Sequence, residues 1–143
     1  MKPRRPDYED FVRSIFHRAA FIRDLAVELV HVAPGVCETA MPITPRLLQQ
    51  DGFVHAGVTA TLADHTAGGA AGSLVGEGET VLTSEYKIHF LRPAKADRLT
   101  CRGTVLKPGS MLIVSEAEVY AGEVLVAKMI STLAVVSVAR AQR

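Results

Sequence analysis

QQDGFVHAGVTATLADHTAGGAA, residues 49–71, is the stretch that decides the fold of this chain. Small and apolar residues from 57 to 74 predict a long helix. Its interior holds Gly68, Gly69 and Gly72, and each glycine costs about 1 kcal/mol relative to alanine. Such a helix is weak in isolation, but its small residues let another backbone approach closely. We therefore predict that this helix packs against a sheet that wraps around it.

One acid, Asp64, lies inside this apolar segment, nine positions after His55. A solvent-facing acid is one interpretation, but its helical neighbours are small residues that are typical of a buried face. An acid on such a face costs stability unless function uses it. The helix start adds the backbone N–H groups of Ala56 and Gly57, which suit a developing negative charge unless water or a cap such as His55 satisfies them. Acid and amides together predict attack on a carbonyl group.

Composition narrows the class of protein. With 143 residues the chain predicts one domain, and 48% hydrophobic residues supply a core. Its 16 basic and 15 acidic residues nearly cancel, which argues against nucleic acid or an anionic membrane as a partner. Cys37 and Cys101 match no metal or redox spacing and are expected to be small buried hydrophobes. No signal peptide or apolar run of about 18 residues is visible, so we expect a cytoplasmic protein without a membrane span.

The rest of the chain predicts an α+β fold. Residues 1–24 form an N-terminal arm and a helix that starts at Asp7, and residues 25–143 form the domain itself. The sequence order is helix, two strands, the long helix and a four-strand meander, which gives a curved antiparallel sheet of about six strands around the helix. The predicted strands are Leu25–Ala33, Val36–Ile43, Leu82–Phe90, Arg98–Lys107, Met111–Tyr120 and Val124–Val138.

The third predicted strand alternates between apolar and polar residues. Leu82, Ser84, Tyr86, Ile88 and Phe90 occupy every second position, which predicts one half-buried antiparallel strand. A sheet of this kind leaves open edges, and proteins commonly protect such edges by pairing. The sequence therefore favours self-association.

A combination of motifs resembles one known family. Gln49, then His55-Ala56-Gly57, then Asp64, then a strand that ends in the segment Phe90–Lys95 (FLRPAK) is similar to the hotdog-fold acyl-CoA thioesterases. Within that family, the sequence is most similar to the PaaI-like group and to proteins of the same type as human thioesterase superfamily member 2. It spans roughly residues 25 to 138 and implies a hotdog fold and thioester hydrolysis.

The resemblance also implies roles for individual residues. Asp64 matches the catalytic carboxylate, as nucleophile or general base. Ala56 matches the residue whose N–H polarises the thioester carbonyl, with the N–H of Gly57 as an additional candidate donor. Gln49 matches a residue that holds the thioester or water, and His55 matches the histidine that shapes the turn. Thr83, or Ser84 as the offset alternative, matches a residue that orients water from the neighbouring subunit. The residues that match contacts to CoA are Arg92, Lys107, Gly109 and Ser110.

One position departs from the family. Ala56 replaces the first glycine of the usual histidine-glycine-glycine motif, which keeps an N–H donor but would be strained if that backbone needed a positive φ. The Asn-Pro-x-His motif of hotdog hydratases and the His-Phe-Pro-Gly element of acyl-carrier dehydratases are absent. His65 is expected to point to a different helix face from Asp64 and to be structural.

The resulting prediction is an acyl-CoA thioesterase that releases a free acid and CoA. No metal or cofactor is expected, because CoA is part of the substrate and no ligand set with metal spacing exists. The resemblance implies a homodimer or homotetramer with the active site at the subunit interface. The alternative is a non-catalytic hotdog protein that binds acyl-CoA or lipid. Only 6% of the residues are aromatic, which mildly favours a medium or longer aliphatic acyl group and leaves an aryl group open.

Overall fold

The computed structural model describes residues 1–142 and consists of a six-stranded antiparallel sheet with one long helix packed against it. The strands are β1 (Glu28–Ala33), β2 (Val36–Pro42), β3 (Glu79–Phe90), β4 (Arg98–Lys107), β5 (Leu112–Ala121) and β6 (Val124–Ser137). The helices are α1 (Tyr8–Arg18), α2 (Ala20–Asp24), α3 (Ala56–Gly72) and α4 (Val138–Ala141), with a 3-10 turn at Pro45–Leu47. The strand order in the sheet is β1-β2-β4-β5-β6-β3. The predicted α+β architecture with about six antiparallel strands is confirmed. The predicted four-strand meander was wrong, because residues 91–97 carry the chain across to pair β4 with β2, and β3 pairs with β6 instead.

Helix α3 is buried on most of its surface. Leu62, Ala63 and Ala67 pack in one hydrophobic cluster with residues of β2, β4 and β6, and Ala70 and Ala71 pack in a second cluster on the N-terminal helices. The helix begins one residue before the predicted start and ends two residues before the predicted end. Its small side chains allow this burial, as the sequence indicated.

The sheet and the helix approach each other closely at Gly103 on β4. A Cβ atom at this position would lie 2.7 Å from the carbonyl oxygen of Thr66 and 3.1 Å from the backbone nitrogen of Ala67. Real Cβ atoms essentially never come this close to other atoms. The backbone of β4 therefore rests directly on the backbone of α3, and only glycine fits there.

The N-terminal segment forms two helices instead of the single helix predicted. The break lies at Ala19, whose extended backbone (φ −78°, ψ 95°) ends α1 and precedes α2. Val12 and Phe16 are buried in the same cluster as Ala70, so this segment contributes to the core around α3. β1 begins three residues later than predicted, because Leu25 caps α2 and Ala26 has a positive φ of 54°.

Strand β3 does not keep the single alternation that the sequence predicted. A β-bulge lies between Thr83 and Glu85, so the residues that face the helix change parity along the strand. Thr83 lies on the helix side before the bulge, whereas Ile88 packs against the core after it. Leu82, predicted on the buried side, is 51% exposed. The prediction of a uniformly half-buried strand was wrong because a bulge leaves no signal in hydropathy.

β3 is also an edge of the sheet. It pairs with β6 on one side, and no other strand in residues 1–142 pairs with its second side. The segment from residue 82 to 87 is exposed throughout. A twelve-residue edge strand of this kind presents a row of unpaired backbone groups to a partner.

In the described part of the chain no helix is both long and apolar enough to cross a membrane.

Candidate active site

Asp64 and Thr83 form the centre of the candidate site. Asp64 lies on α3 and is half-buried, and the hydroxyl of Thr83 donates a hydrogen bond of 2.8 Å to its Oδ1 atom. Both residues belong to the same chain, so the expectation that Thr83 acts from the neighbouring subunit was wrong for this contact. Thr83 faces Asp64 from the part of β3 before the bulge, whereas Ser84 lies in the bulge and makes no hydrogen bond to Asp64 among the described contacts.

The surroundings of Asp64 raise its pKa. Burial disfavours the charged carboxylate and is the larger effect, while the hydrogen bond from Thr83 lowers the pKa and offsets part of it. No cation in the described structure makes an ion pair with this carboxylate. A carboxylate with a raised pKa is a stronger base in its ionised form, which suits it to take a proton from water.

His65 borders the same cavities as Asp64, although consecutive residues of a helix project about 100° apart. Its ring packs edge-on against Phe16 at 4.4 Å between centroids. Burial lowers its pKa to about 4, so the imidazole is neutral at neutral pH. Its Nε2 atom is buried and has no hydrogen-bond partner in the described residues. His65 therefore adds no positive charge next to Asp64.

Two cavities meet at Asp64. The first, of about 220 Å³, lies between α1, α3 and β3 and is lined by Ile15, Gly68 and Leu133, among others. The second, of about 330 Å³, lies between α2 and α3 and is bounded by Phe21 and Tyr86. Sequence reasoning did not identify these lining residues, because only the packing of the N-terminal helices on α3 brings them to the site.

The start of α3 supplies one free amide. His55 caps the helix, because its Nδ1 atom accepts a 2.9 Å hydrogen bond from the N–H of Gly57. The Gly57 amide is therefore occupied, which corrects its assignment as a second donor to an oxyanion. The N–H of Ala56 has no partner among the described hydrogen bonds. Ala56 is helical and has no positive φ, so alanine fits this position without strain.

Gln49 and Arg92 lie next to Ala56 and line a cavity of about 360 Å³ with it. The side-chain oxygen of Gln49 accepts hydrogen bonds from the N–H groups of Asp51 and Phe53 in its own loop. Its amide nitrogen has only a long 3.5 Å contact to Asp51 and can still donate. Arg92 donates to the carbonyl oxygen of Leu125 at 2.8 Å. Of the residues expected to contact CoA, Arg92 is therefore placed at the amide end of α3.

Within one chain the Asp64 carboxylate and the free amide of Ala56 lie in separate places. Ala56 and Asp64 are eight residues apart on α3, which corresponds to about 12 Å along the helix axis. An attacking atom and an oxyanion donor each lie about 3 Å from the reacting carbonyl, so the pair cannot serve one thioester in a single chain. The turn with Gly109 and Ser110, which follows Lys107, borders Leu74 beyond the opposite end of α3.

Metal ligands and reactive thiols are not assembled at this site. In residues 1–142 no three His, Cys, Asp or Glu side chains are grouped so that they could hold a metal ion. Cys37 and Cys101 are free and buried, as predicted. Burial raises the pKa of Cys101 to about 12 and that of Cys37 further, so both thiols stay protonated.

Comparison with known proteins agrees with this description. The sequence model of the thioesterase superfamily matches residues 51–128. A crystal structure of a thioesterase family protein from Silicibacter pomeroyi superimposes with a TM-score of 0.89 at 40% identity and covers 91% of this chain and 98% of that one. A predicted esterase from Saccharolobus solfataricus is 32% identical over 75% of this chain and 76% of its own length.

Two further matches widen the comparison. The PaaI protein of the Escherichia coli phenylacetic acid degradation operon shares the fold at 22% identity, with a TM-score of 0.84 over 92% of this chain and 94% of that one. A 1,4-dihydroxy-2-naphthoyl-CoA hydrolase from Listeria monocytogenes is 25% identical over 66% of this chain and 77% of its own length. The chain therefore belongs to the thioesterase superfamily and has its hotdog fold, and the prediction of a thioester hydrolase is confirmed at the level of the family.

Proposed function

We propose that this protein hydrolyses an acyl-CoA thioester to the free acid and CoA, with Asp64 as the catalytic carboxylate. The observation that carries the proposal is the half-buried Asp64, held by Thr83 at 2.8 Å and placed where two cavities meet. A relative named as a naphthoyl-CoA hydrolase supports CoA as the thiol half of the substrate. Family membership alone does not identify the thiol half of the substrate, so CoA is part of what we propose.

The site is completed by a second copy of the chain, paired through the open edge of β3. A two-fold axis perpendicular to the sheet makes two β3 strands antiparallel neighbours and sets the two α3 helices side by side in opposite directions. This arrangement moves the N-terminal end of one α3 toward the middle of the other. The N–H of the partner's Ala56 can then bind the thioester carbonyl that Asp64 attacks, which resolves the 12 Å separation of the two groups along one helix.

The reaction follows from these positions. In one route Asp64 takes a proton from water, and the water oxygen attacks the thioester carbon while Thr83 holds the carboxylate. In the other route a carboxylate oxygen of Asp64 attacks directly, and water then hydrolyses the mixed anhydride. In both routes the N–H of the partner's Ala56 stabilises the oxyanion, the C–S bond breaks, and CoA leaves as a thiolate that takes up a proton. One such donor contributes about 3 kcal/mol to the stability of the transition state.

The second candidate is a protein of the same fold that binds acyl-CoA or lipid without catalysis. Asp64 argues against it, because a half-buried carboxylate without an ion pair costs stability and gives no benefit to the binding of an apolar chain. A pure binding protein would gain from an apolar residue at this position. The two candidates differ in whether CoA thiol is released.

The test is release of CoA thiol from a panel of acyl-CoAs by the wild-type protein and by Asp64→Asn. We expect kcat to fall at least about 100-fold in Asp64→Asn with little change in KM, because the lost interaction acts in the transition state. Asp10→Asn is the matched control, since Asp10 is an exposed acid on α1. Near-normal turnover by a folded Asp64→Asn protein would remove Asp64 from the mechanism, and no turnover by the wild type would favour the binding protein.

A further inference from the structure

We propose that the 220 Å³ cavity between α1, α3 and β3 holds the acyl group, and that Gly68 sets the length of the chain it accepts. This inference rests on the proposed function, because it places the reacting carbonyl at Asp64. It adds a substrate class: a compact, uncharged acyl group of medium length.

The position of Gly68 carries the inference. Gly68 follows Asp64 by four residues on α3, so the two lie on the same helix face one turn apart. A Cβ atom at Gly68 would meet only Leu133, with Cδ2 at 4.0 Å, which is an ordinary van der Waals contact, so a methyl group fits there without a clash. The adjacent Gly69 differs, because its Cβ would lie 2.7 Å from the Sγ atom of Cys37. Gly68 thus leaves open the part of the cavity beyond Asp64, and any side chain there would occupy it.

The volume limits the acyl group. A water molecule in the liquid occupies about 30 Å³, and a methylene group is of similar size. The cavity of about 220 Å³ therefore holds roughly seven such groups beyond the carbonyl carbon, which corresponds to an octanoyl chain or a single aromatic ring. A hexadecanoyl chain has about twice the volume of this cavity.

The walls limit the charge of the acyl group. Ile15, Val81 and Leu133 supply aliphatic surface, and His65 is neutral at neutral pH. Apart from Asp64 at the site itself, no described lining residue carries a charge that could pair with a terminal carboxylate. A buried and unpaired carboxylate is costly, so we expect dicarboxylic acyl groups to be poor substrates.

The second cavity at Asp64 is assigned to the thiol arm. Its border contains Phe21, which is 63% exposed and lies on α2 rather than on the β3 edge, so this side opens to solvent. The long thiol half of an acyl-CoA must leave the site toward solvent. The first cavity, which ends on the nearly fully buried Leu133, suits the acyl half instead.

The experiment measures kcat/KM for butanoyl-, hexanoyl-, octanoyl-, dodecanoyl-, hexadecanoyl- and succinyl-CoA. We expect a maximum at hexanoyl- or octanoyl-CoA, and values at least about tenfold lower for hexadecanoyl- and succinyl-CoA. In the series Gly68→Ala, Gly68→Val and Gly68→Leu, each carbon added to the side chain should shorten the preferred acyl chain by about one carbon. Butanoyl-CoA turnover should change least.

The control is Thr61→Leu, which adds bulk in the second cavity and should leave the chain-length profile unchanged. An unchanged profile across the Gly68 series, or a profile that moves with Thr61→Leu instead, would overturn the inference while the hydrolase assignment stands. Calorimetric binding of the same acyl-CoAs to Asp64→Asn, with and without Gly68→Leu, provides a readout that needs no turnover. Equal length preference in those two proteins would overturn the inference even if the wild type hydrolysed nothing.

Discussion

Gly103→Ala tests the direct contact between the sheet and α3. The new Cβ would lie 2.7 Å from the carbonyl oxygen of Thr66, whereas ordinary contacts of a Cβ begin at about 3.4 Å. The clash is with backbone, so no side-chain rotation relieves it, and β4 and α3 must separate by about 0.7 Å. Overpacking of this kind costs about 1–3 kcal/mol. An ordinary Gly→Ala change in a strand instead stabilises by roughly 0.5–1 kcal/mol.

We expect a net loss of about 2 kcal/mol in the free energy of unfolding, measured by urea denaturation, and a Tm lower by roughly 4–8 °C. The displacement also moves the helix that carries Asp64, and misplacement by about 1 Å can cost 100-fold in rate, so kcat should fall as well. Gly68→Ala is the control for stability alone, because its Cβ would make only an ordinary 4.0 Å contact with Leu133 and should stabilise the helix by about 0.5–1 kcal/mol. Equal or greater stability of Gly103→Ala would refute the backbone contact.

The remaining predictions concern Asp64 and metals. Thr83→Val removes the hydrogen bond that lowers the pKa of Asp64, so the acid limb of the pH–rate profile should move to higher pH; an unchanged limb would mean that another group limits the rate. Because the pKa of Asp64 is raised in the folded state, the folded protein binds more protons than the unfolded one and loses stability as pH rises through that pKa. Asp64→Asn should therefore have a higher Tm than the wild type at neutral pH, and the difference in Tm should be smaller in acid. Equal Tm differences at both pH values would contradict this. Dialysis against EDTA should leave activity intact, and loss of a stoichiometric metal together with activity would show a metal requirement.

Features that repeat along the sequence could be predicted, and features that arise from packing could not. The small residues of α3 predict a helix that is buried against a sheet, and the structure confirms it. The four-strand meander was wrong, because β3 pairs with β6 at the edge of the sheet while β4 pairs with β2, and sequence order does not specify such a crossover. The bulge after Thr83 was missed, because an inserted residue changes which side chains face the helix without changing hydropathy. The break at Ala19 was missed because alanine favours helix continuation.

In the candidate site, too, sequence identified the residue that stands out by its type and missed the features that depend on packing. Asp64 could be identified because an acid in an apolar helix stands out in the sequence itself. The capping of Gly57 by His55 depends on a side-chain rotamer that spacing does not specify. Gly68 was interpreted only as a packing residue, because nothing in the sequence indicates that it borders a cavity with Leu133.

The central claim is that each site combines Asp64 of one chain with the amide of the partner's Ala56. Ala56→Pro removes that N–H at the first helical position, where proline is accepted, and the ψ of 136° at His55 suits a following proline. Alone, it should lower kcat by about 10²–10³.

The decisive measurement is thiol release by mixed dimers of Asp64→Ala chains and Ala56→Pro chains, with subunit exchange confirmed by mass. Each mixed dimer would contain one site with both changes and one intact site, so we predict recovery of about half the wild-type activity per mixed dimer. Mixing Asp64→Ala with Thr83→Val should give no such recovery, because Asp64 and Thr83 act from the same chain. Complete exchange between Asp64→Ala and Ala56→Pro chains without recovered activity, or a wild-type protein that is active as a monomer, would contradict the shared site.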